Sequence, residues 1–173
     1  MNSLSKNILK GIAVGLFASW IKSIAEPPLQ KIGEKLFPPS DDELRLKGAD
    51  VTGHPENMPP AILAGKMYRT VTGNEISAGK RIKAMPYIHY TLGAAIGVVY
   101  LDMVNKYPNL KIEQGFTAGT VVWALTHGSA VPALQLQGKV SQMPKLWWVW
   151  EFGSHLVFGV AMEQGRKMIN RMF

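Results

Sequence analysis

The sequence has no cysteine among its 173 residues, which excludes a disulfide framework and any metal site built on thiolates. It also lacks a phosphate-binding glycine-rich loop, a nucleophile elbow, a dinucleotide fingerprint and an HExxH pair of metal ligands. We therefore expect a protein that is not an enzyme, with no catalytic residues, no bound metal and no cofactor. Because histidine and glutamate can both ligate metals, a metal-dependent membrane enzyme is kept as the third hypothesis.

Acidic residues are scarce outside one stretch, since seven of the twelve lie in residues 27–85. Four other stretches are nearly uncharged, whereas a soluble helical protein interleaves charged and apolar residues every three or four positions. The net charge of +7 comes largely from Lys and Arg beside these apolar stretches, where phospholipid headgroups are the natural partners. The pattern predicts a membrane protein whose partner is the lipid bilayer, with no nucleic acid bound.

The four apolar stretches predict an all-α membrane protein with four transmembrane helices, because about 20 apolar residues cross a bilayer. Lys22, directly before the small-residue pattern Ser23-Ile-Ala25, favours a retained first helix over a cleaved signal. We expect that helix to stop at Glu26-Pro27-Pro28. The stretches are short or polar, which favours one compact membrane domain, residues 1–173, that hides its polar faces. The predicted helices span about 8–25, 87–104, 115–136 and 146–162.

A long polar loop, residues 27–85, separates the first two predicted helices. Within it, Ala61 to Val71 reads as an amphipathic helix, and a second helix through Lys83 would be capped by Thr72 or Asn74. These helices are expected to lie on the membrane surface or on the bundle. The loop is a poor guide to orientation, and the remaining basic residues slightly favour cytoplasmic termini.

Aromatic residues cluster near one end of the predicted helices. Tryptophan and tyrosine are enriched where a membrane meets water, so these side chains predict an interfacial belt on one face. The members of this predicted belt are Trp20, Tyr87, Tyr90, Trp147, Trp148 and Trp150.

Glycine spacing indicates an internal duplication. Gly11-x3-Gly15, followed by Pro28, recurs as Gly115-x3-Gly119, followed by Pro132, at a shift of 104 residues. The motif His89-x3-Gly93 recurs as His155-x3-Gly159 at a shift of 66. We expect two parallel copies of a helical hairpin, with the long loop inserted only in the first copy.

GxxxG motifs let helix backbones approach closely, either within one chain or across a dimer interface. Packing within the chain is the favoured interpretation, and dimerisation is the alternative. The predicted helix-packing positions are Gly11, Gly15, Gly93, Gly97, Gly115, Gly119 and Gly159.

Six polar residues within or at the ends of the predicted spans are candidates for a polar pocket or proton relay, because polar groups in lipid are costly unless they are paired. Lys22 and Glu26 are four residues apart, as are Glu151 and His155, so each pair shares a helix face. A carboxylate beside imidazoles suits a proton relay or pH sensor. The alternative is a buried structural hydrogen bond. The six candidates are Lys22, Glu26, His89, His127, Glu151 and His155.

The order of these motifs resembles the YagU-like family of bacterial inner-membrane proteins of unknown molecular function. The resemblance rests on Lys22, Ala25-Glu26-x-Pro28-Leu29, His89-Tyr90-x2-Gly93, Gln114-Gly115-x3-Gly119, Pro132 and Glu151-x3-His155. It implies a multi-pass protein of the bacterial cytoplasmic membrane and supplies no reaction. Our first hypothesis is proton or small-solute handling, or pH sensing in stress tolerance. The second is an accessory or scaffolding subunit that binds another membrane protein or forms a homo-oligomer.

Overall fold

The structure, a computed structural model, describes residues 3–107 and 114–172, and among these it contains helices and no strand. The predicted all-α class is therefore confirmed. Short 3₁₀ turns lie at Pro55–Asn57 and Val140–Gln142, and π-helical turns at Thr126–Ala130 and Trp148–Phe152. The α-helices are α1 (Ser3–Leu36), α2 (Asp41–Leu44), α3 (Pro59–Thr72), α4 (Ala78–Lys106), α5 (Phe116–Leu125), α6 (Val131–Ala133), α7 (Lys145–Trp147) and α8 (Gly153–Met172).

Helix α1 continues through Pro27 and Pro28, so the predicted end of the first helix before Pro27 is wrong. A proline inside a helix removes one backbone donor and costs about 3 kcal/mol. Contacts in the following turns offset that cost. Gln30 donates from Nε2 to Asp50 Oδ1 at 2.6 Å, and Gly33 packs so closely on Leu146 that a Cβ would lie 2.9 Å from its carbonyl oxygen.

The stretch 27–85 is more helical than the sequence predicts. Helix α3 contains the expected amphipathic helix, begins at Pro59 and ends at Gly73, whose φ of 72° is the left-handed conformation that glycine adopts freely. The second expected helix, through Lys83, is instead the start of α4, which continues through Pro86. The expected cap is wrong, because α4 begins at Ala78, beyond Thr72 and Asn74.

The predicted third and fourth helices each contain a π-helical turn. Helical residues run without a break from Phe116 to Ala133 and from Lys145 to Met172. The third helix therefore ends before its predicted limit, and the fourth extends past its own. A π turn inserts an extra residue, which changes the direction in which the following side chains project, and such turns are frequent at functional sites.

The described contacts divide the chain into two compact units. Unit 1 comprises Met1–Ala25, Tyr90–Val122 and Ser154–Phe173, and unit 2 comprises Glu26–His89 and Trp123–Gly153. The core of unit 1 is a cluster of buried apolar side chains from α1, α4 and α8. Its members are Val14, Ala18, Tyr100, Leu101, Val104, Phe158, Ala161 and Met162.

Glycines in unit 1 allow backbones of neighbouring helices to meet. A Cβ on Gly15 would lie 2.7 Å from the carbonyl carbon of Gly93, and one on Gly97 would lie 2.6 Å from the Gly15 nitrogen. Helices α5 and α8 meet in the same way, since a Cβ on Gly159 would lie 2.7 Å from the Gly119 Cα. The close approach of Gly11 to Gly97 and that of Gly115 to Gly159 complete the two crossings.

Unit 2 is built around two fully buried tryptophans, Trp147 and Trp150. Trp150 donates from Nε1 to the carbonyl oxygen of Ala49 at 3.2 Å, which joins the long loop to this core. Part of the predicted interfacial belt is therefore wrong, because these two side chains satisfy core packing. Trp148 remains 42% exposed.

The loop of unit 2 is organised by a buried carboxylate, Asp50. Its Oδ1 accepts hydrogen bonds from Gln30 Nε2 at 2.6 Å, Gly53 N at 2.7 Å and Thr52 N at 2.9 Å. Burial by itself raises the pKa of Asp50, but these hydrogen bonds outweigh it and hold the pKa below its ordinary value. The same glutamine receives a bond from Val51 N at 2.9 Å, so Gln30 and Asp50 together fix the loop to α1.

Two helices, α1 and α4, are long and apolar enough to cross a membrane, judged by length and composition. Within the structure, 33% of the most apolar window of α1 is buried and 28% of that of α4. Large apolar side chains therefore remain outside the two cores. Those on α1 and α4 include Leu9, Leu16, Trp20, Ile24, Tyr87, Leu92 and Val99.

Candidate functional site

The two π-helical turns in unit 2 carry a buried histidine–carboxylate pair. His127 lies on the first turn and Glu151 on the second. His127 Nε2 is 3.5 Å from Glu151 Oε1, and the two side chains are 14% and 2% exposed. The structure thus brings together two of the six predicted site residues. A buried carboxylate costs free energy unless it is hydrogen-bonded or paired with an opposite charge.

Gln137 orients the imidazole ring of His127. Its Oε1 lies 2.6 Å from His127 Nδ1, while its Nε2 donates to the backbone carbonyl of His127 at 3.4 Å. Because the amide oxygen faces the ring, Nδ1 is assigned as the protonated nitrogen. The second nitrogen, Nε2, therefore faces Glu151.

Sequence reasoning missed Gln137, which is ten residues from His127 and belongs to no motif. Its position depends on the long loop of unit 2. Gly138 N donates to the carbonyl oxygen of Lys47 at 3.2 Å, and Gly48 packs on the glutamine side chain. Gly48 has a φ of 83°, and a Cβ there would lie 3.0 Å from Gln137 Cγ. Only the tertiary structure shows that the loop supports this site.

An aromatic wall borders the pair. The ring of Trp147 is centred 6.4 Å from that of His127, and Trp123 lies 6.0 Å from Trp147 and 5.2 Å from both Trp148 and Phe152. Among the described residues, the indole N–H groups of Trp123 and Trp147 are buried without a hydrogen-bond acceptor. The wall therefore gives the pair an apolar border that carries two indole N–H donors.

The other four candidates divide between the units. Glu26 and His89 lie in unit 2 and are half-buried, whereas Lys22 and His155 lie in unit 1 and are 6% and 5% exposed. Each of the four makes at least one polar, electrostatic or ring interaction. They are therefore engaged side chains and not isolated charges.

His127 and Glu151 each offer one atom of a type that divalent metals bind. A structural zinc site needs four such ligands, and a catalytic site needs three with an open position. The pair in unit 2 thus supplies part of a metal site.

A second buried carboxylate, Glu163, lies in unit 1 and is already neutralised. Arg166 donates to it from Nε and Nη2 at 2.7 Å each, and Tyr100 Oη donates at 2.7 Å. Sequence reasoning does not identify Arg166 or Tyr100 as partners of this carboxylate. Because two charge-assisted bonds and a phenol hold it, this carboxylate is a structural element of unit 1.

Over residues 3–107 and 114–172, the fold and the site define a helical protein with two helices long and apolar enough to span a membrane and a buried histidine–carboxylate pair on π-helical turns. Residues 29–164 match the family described as "Protein of unknown function (DUF1440)", and the chain belongs to that family. No curated protein and no solved structure matches it. The family description assigns no activity, and the resemblance to YagU-like proteins and the bacterial source remain predictions.

Proposed function

We propose that the chain is a non-enzymatic, multi-pass protein of a bacterial cytoplasmic membrane in which His127 and Glu151 exchange a proton. The protonation would serve pH sensing, or proton or small-solute handling, in stress tolerance. The observation that carries the proposal is the 3.5 Å approach of His127 Nε2 to a carboxylate whose side chain is 2% exposed.

The membrane placement is supported by two apolar helices, α1 and α4, because most of the residues in their apolar windows are not buried in the structure. A soluble protein buries most of an apolar core helix, but α1 and α4 bury about a third of their apolar windows. The helical stretches from Phe116 to Ala133 and from Lys145 to Met172 are the proposed third and fourth spans. At 1.5 Å per residue, the shorter stretch is roughly 27 Å long, close to the hydrocarbon thickness.

The proposed duplication is supported by matching contacts within unit 1. Gly97 meets Gly11 and Gly15 as Gly159 meets Gly115 and Gly119. By these contacts, Gly97 corresponds to Gly159. The sequence motif instead aligns Gly159 with Gly93, which is four residues earlier than Gly97. The two helical pairs would then be parallel copies of one hairpin.

Protonation of His127 would change the electrostatics of a dry site. With Nδ1 held by Gln137, a second proton must enter at Nε2, where it faces Glu151. The charged ring places a positive charge opposite the carboxylate, and the neutral ring does not. A buried pair of this kind responds strongly to a single proton because the surrounding dielectric is low.

Intrinsic tryptophan fluorescence of the purified chain, followed from about pH 5 to pH 8, tests this proposal. Trp147 lies 6.4 Å from the His127 ring, and an imidazolium quenches indole fluorescence more than a neutral imidazole does. We expect a pH-dependent change that is lost in His127→Gln.

A matched control is His54→Gln, because His54 faces Glu56 at 3.3 Å but both side chains are about one-third exposed. This control should keep the fluorescence transition. A transition unchanged in His127→Gln would refute proton exchange at this pair. Metal analysis of the same sample tests the metal hypothesis. A stoichiometric divalent ion that is bound by the unmodified chain but not by His127→Gln would favour a metal site over the proton mechanism.

The second candidate function is an accessory or scaffolding subunit. It is favoured by the exposed apolar side chains on α3, where Met67, Tyr68 and Val71 are 57%, 40% and 84% exposed. Crosslinking from residue 71 in intact membranes should then capture a specific membrane-protein partner, and substitution of Met67 by Asp should abolish that capture. A monodisperse monomer with no crosslinked partner would count against this function.

A further inference from the structure

Unit 1 contains an apolar groove between α1 and α8. Its volume is about 190 Å³, and every side chain that lines it is apolar. Gly165 forms part of the floor, where a Cβ would lie 3.1 Å from the ring of Phe17. The lining residues are Ala13, Val14, Phe17, Gly165, Met168, Ile169 and Met172.

The side chains around this groove suit a flexible chain more than a rigid ligand. Methionine has three rotatable bonds and adapts its shape to irregular partners, and Met168 is 53% exposed and Met172 65% exposed. Among the residues that the structure describes, no hydroxyl, amide or charged side chain lines the groove, so the groove suits a hydrocarbon chain.

One end of the groove is basic. Lys6 and Lys10 precede Ala13 and Val14 by one to two helical turns, which places them on the groove side of α1. Lys10 Nζ reaches Asn170 Oδ1 of α8 at 3.4 Å, and Arg171 follows that asparagine. No acidic residue occurs at positions 3–25 or 164–172, so the charged side chains that α1 before Glu26 and α8 after Glu163 contribute to this end are all basic.

We propose that this groove binds one acyl chain of an anionic phospholipid, whose phosphate interacts with Lys6, Lys10 and Arg171. The apolar lining removes the acyl chain from water, and the basic end selects the headgroup charge. The site is independent of the His127–Glu151 pair and does not require its proton chemistry. A zwitterionic lipid would gain the same hydrocarbon contacts but less electrostatic attraction.

Native mass spectrometry of the full chain in detergent, titrated with dioleoylphosphatidylglycerol, tests the proposal. We expect one tightly bound lipid, and at least tenfold weaker binding of dioleoylphosphatidylcholine. The double variant Lys6→Gln/Lys10→Gln should weaken phosphatidylglycerol binding to the level of phosphatidylcholine. Lys80→Gln/Lys83→Gln, which changes two exposed lysines on α4, is the matched control and should bind normally.

Gly165→Leu fills the groove and should weaken binding of both lipids, whereas Gly79→Leu, with no atom within 4 Å of its Cβ position, should not. If Gly165→Leu does not fold, the lysine variants still decide the outcome, since they leave the apolar lining of the groove unchanged. Equal affinity for the two lipids, or binding unaffected by the lysine variants, would overturn the proposal. A lipid-free dimer, with the groove protected by a second copy, would also overturn it.

Discussion

Replacing Gly97 by alanine separates helix propensity from tertiary packing in unit 1. Intrinsic propensity favours alanine over glycine in a helix by about 1 kcal/mol. The structure opposes the change, because the added methyl group would lie 2.6 Å from the Gly15 nitrogen and 2.7 Å from its Cα. Real Cβ atoms essentially never approach another heavy atom closer than 3.0 Å. The clash is with backbone, so no side-chain rotation relieves it.

The expected loss follows from these opposing effects. Separating α4 from α1 enough to accept the methyl group also loosens the contacts of Gly11 and Gly93, and overpacking of this kind costs about 1–3 kcal/mol. We expect an overpacking cost of about 3 kcal/mol, the upper end of this range. The gain in helix propensity offsets about 1 kcal/mol of it, so Gly97→Ala should lower the free energy of unfolding by about 2 kcal/mol. For a chain of this length, that lowers Tm by about 4–8 °C.

Thermal unfolding in detergent, followed by circular dichroism, measures this change. The matched control is Gly79→Ala, which lies in the first turn of α4 with open space around its Cβ position. It should raise the free energy of unfolding by about 0.5–1 kcal/mol. If both variants stabilise the protein equally, the close α1–α4 crossing at Gly97 is incorrect.

Two further substitutions test the loop and the site. Asp50→Ala should lower the free energy of unfolding by about 3 kcal/mol, because it removes a buried carboxylate that accepts hydrogen bonds from the Gln30 side chain and from the backbone of Thr52 and Gly53. Since the pKa of folded Asp50 is lowered, its contribution is present above the ordinary aspartate pKa and is lost as pH falls through the folded value. His155→Ala tests the relay role that the sequence predicts for this residue of unit 1, and it should alter survival of cells at low pH while leaving membrane insertion intact.

Each of these two predictions has its own control. Asp42→Ala removes an exposed aspartate of α2 and should change the free energy of unfolding by less than about 1 kcal/mol, so an equal loss at both positions would contradict the role of the Asp50 network. For His155→Ala, protein level in the membrane fraction is the control. Normal expression with an unchanged pH response would exclude His155 from the relay.

Residue pattern alone determined the helical class, the apolar stretches and the glycine positions. Helix α3 could be predicted because proline at its start, left-handed glycine at its end and an amphipathic repeat between them are local signals. His127 and Glu151 could be selected because an ionisable group in an apolar stretch is costly. These inferences need only neighbours along the chain.

Other features depend on residues far apart in sequence, and only the tertiary structure decided them. Helix α1 passes its two prolines because Gln30 bonds to Asp50, and no local signal announces that bond. Trp150 lies in the core of unit 2, where its indole N–H donates a hydrogen bond to the carbonyl oxygen of Ala49, a residue distant in sequence. The pairing of His127 with Glu151, and the glutamine that aims the ring, depend on two π-helical turns and a loop held together by side-chain contacts. Periodicity cannot encode such contacts, because it reports which face of a helix is apolar and not what lies against it.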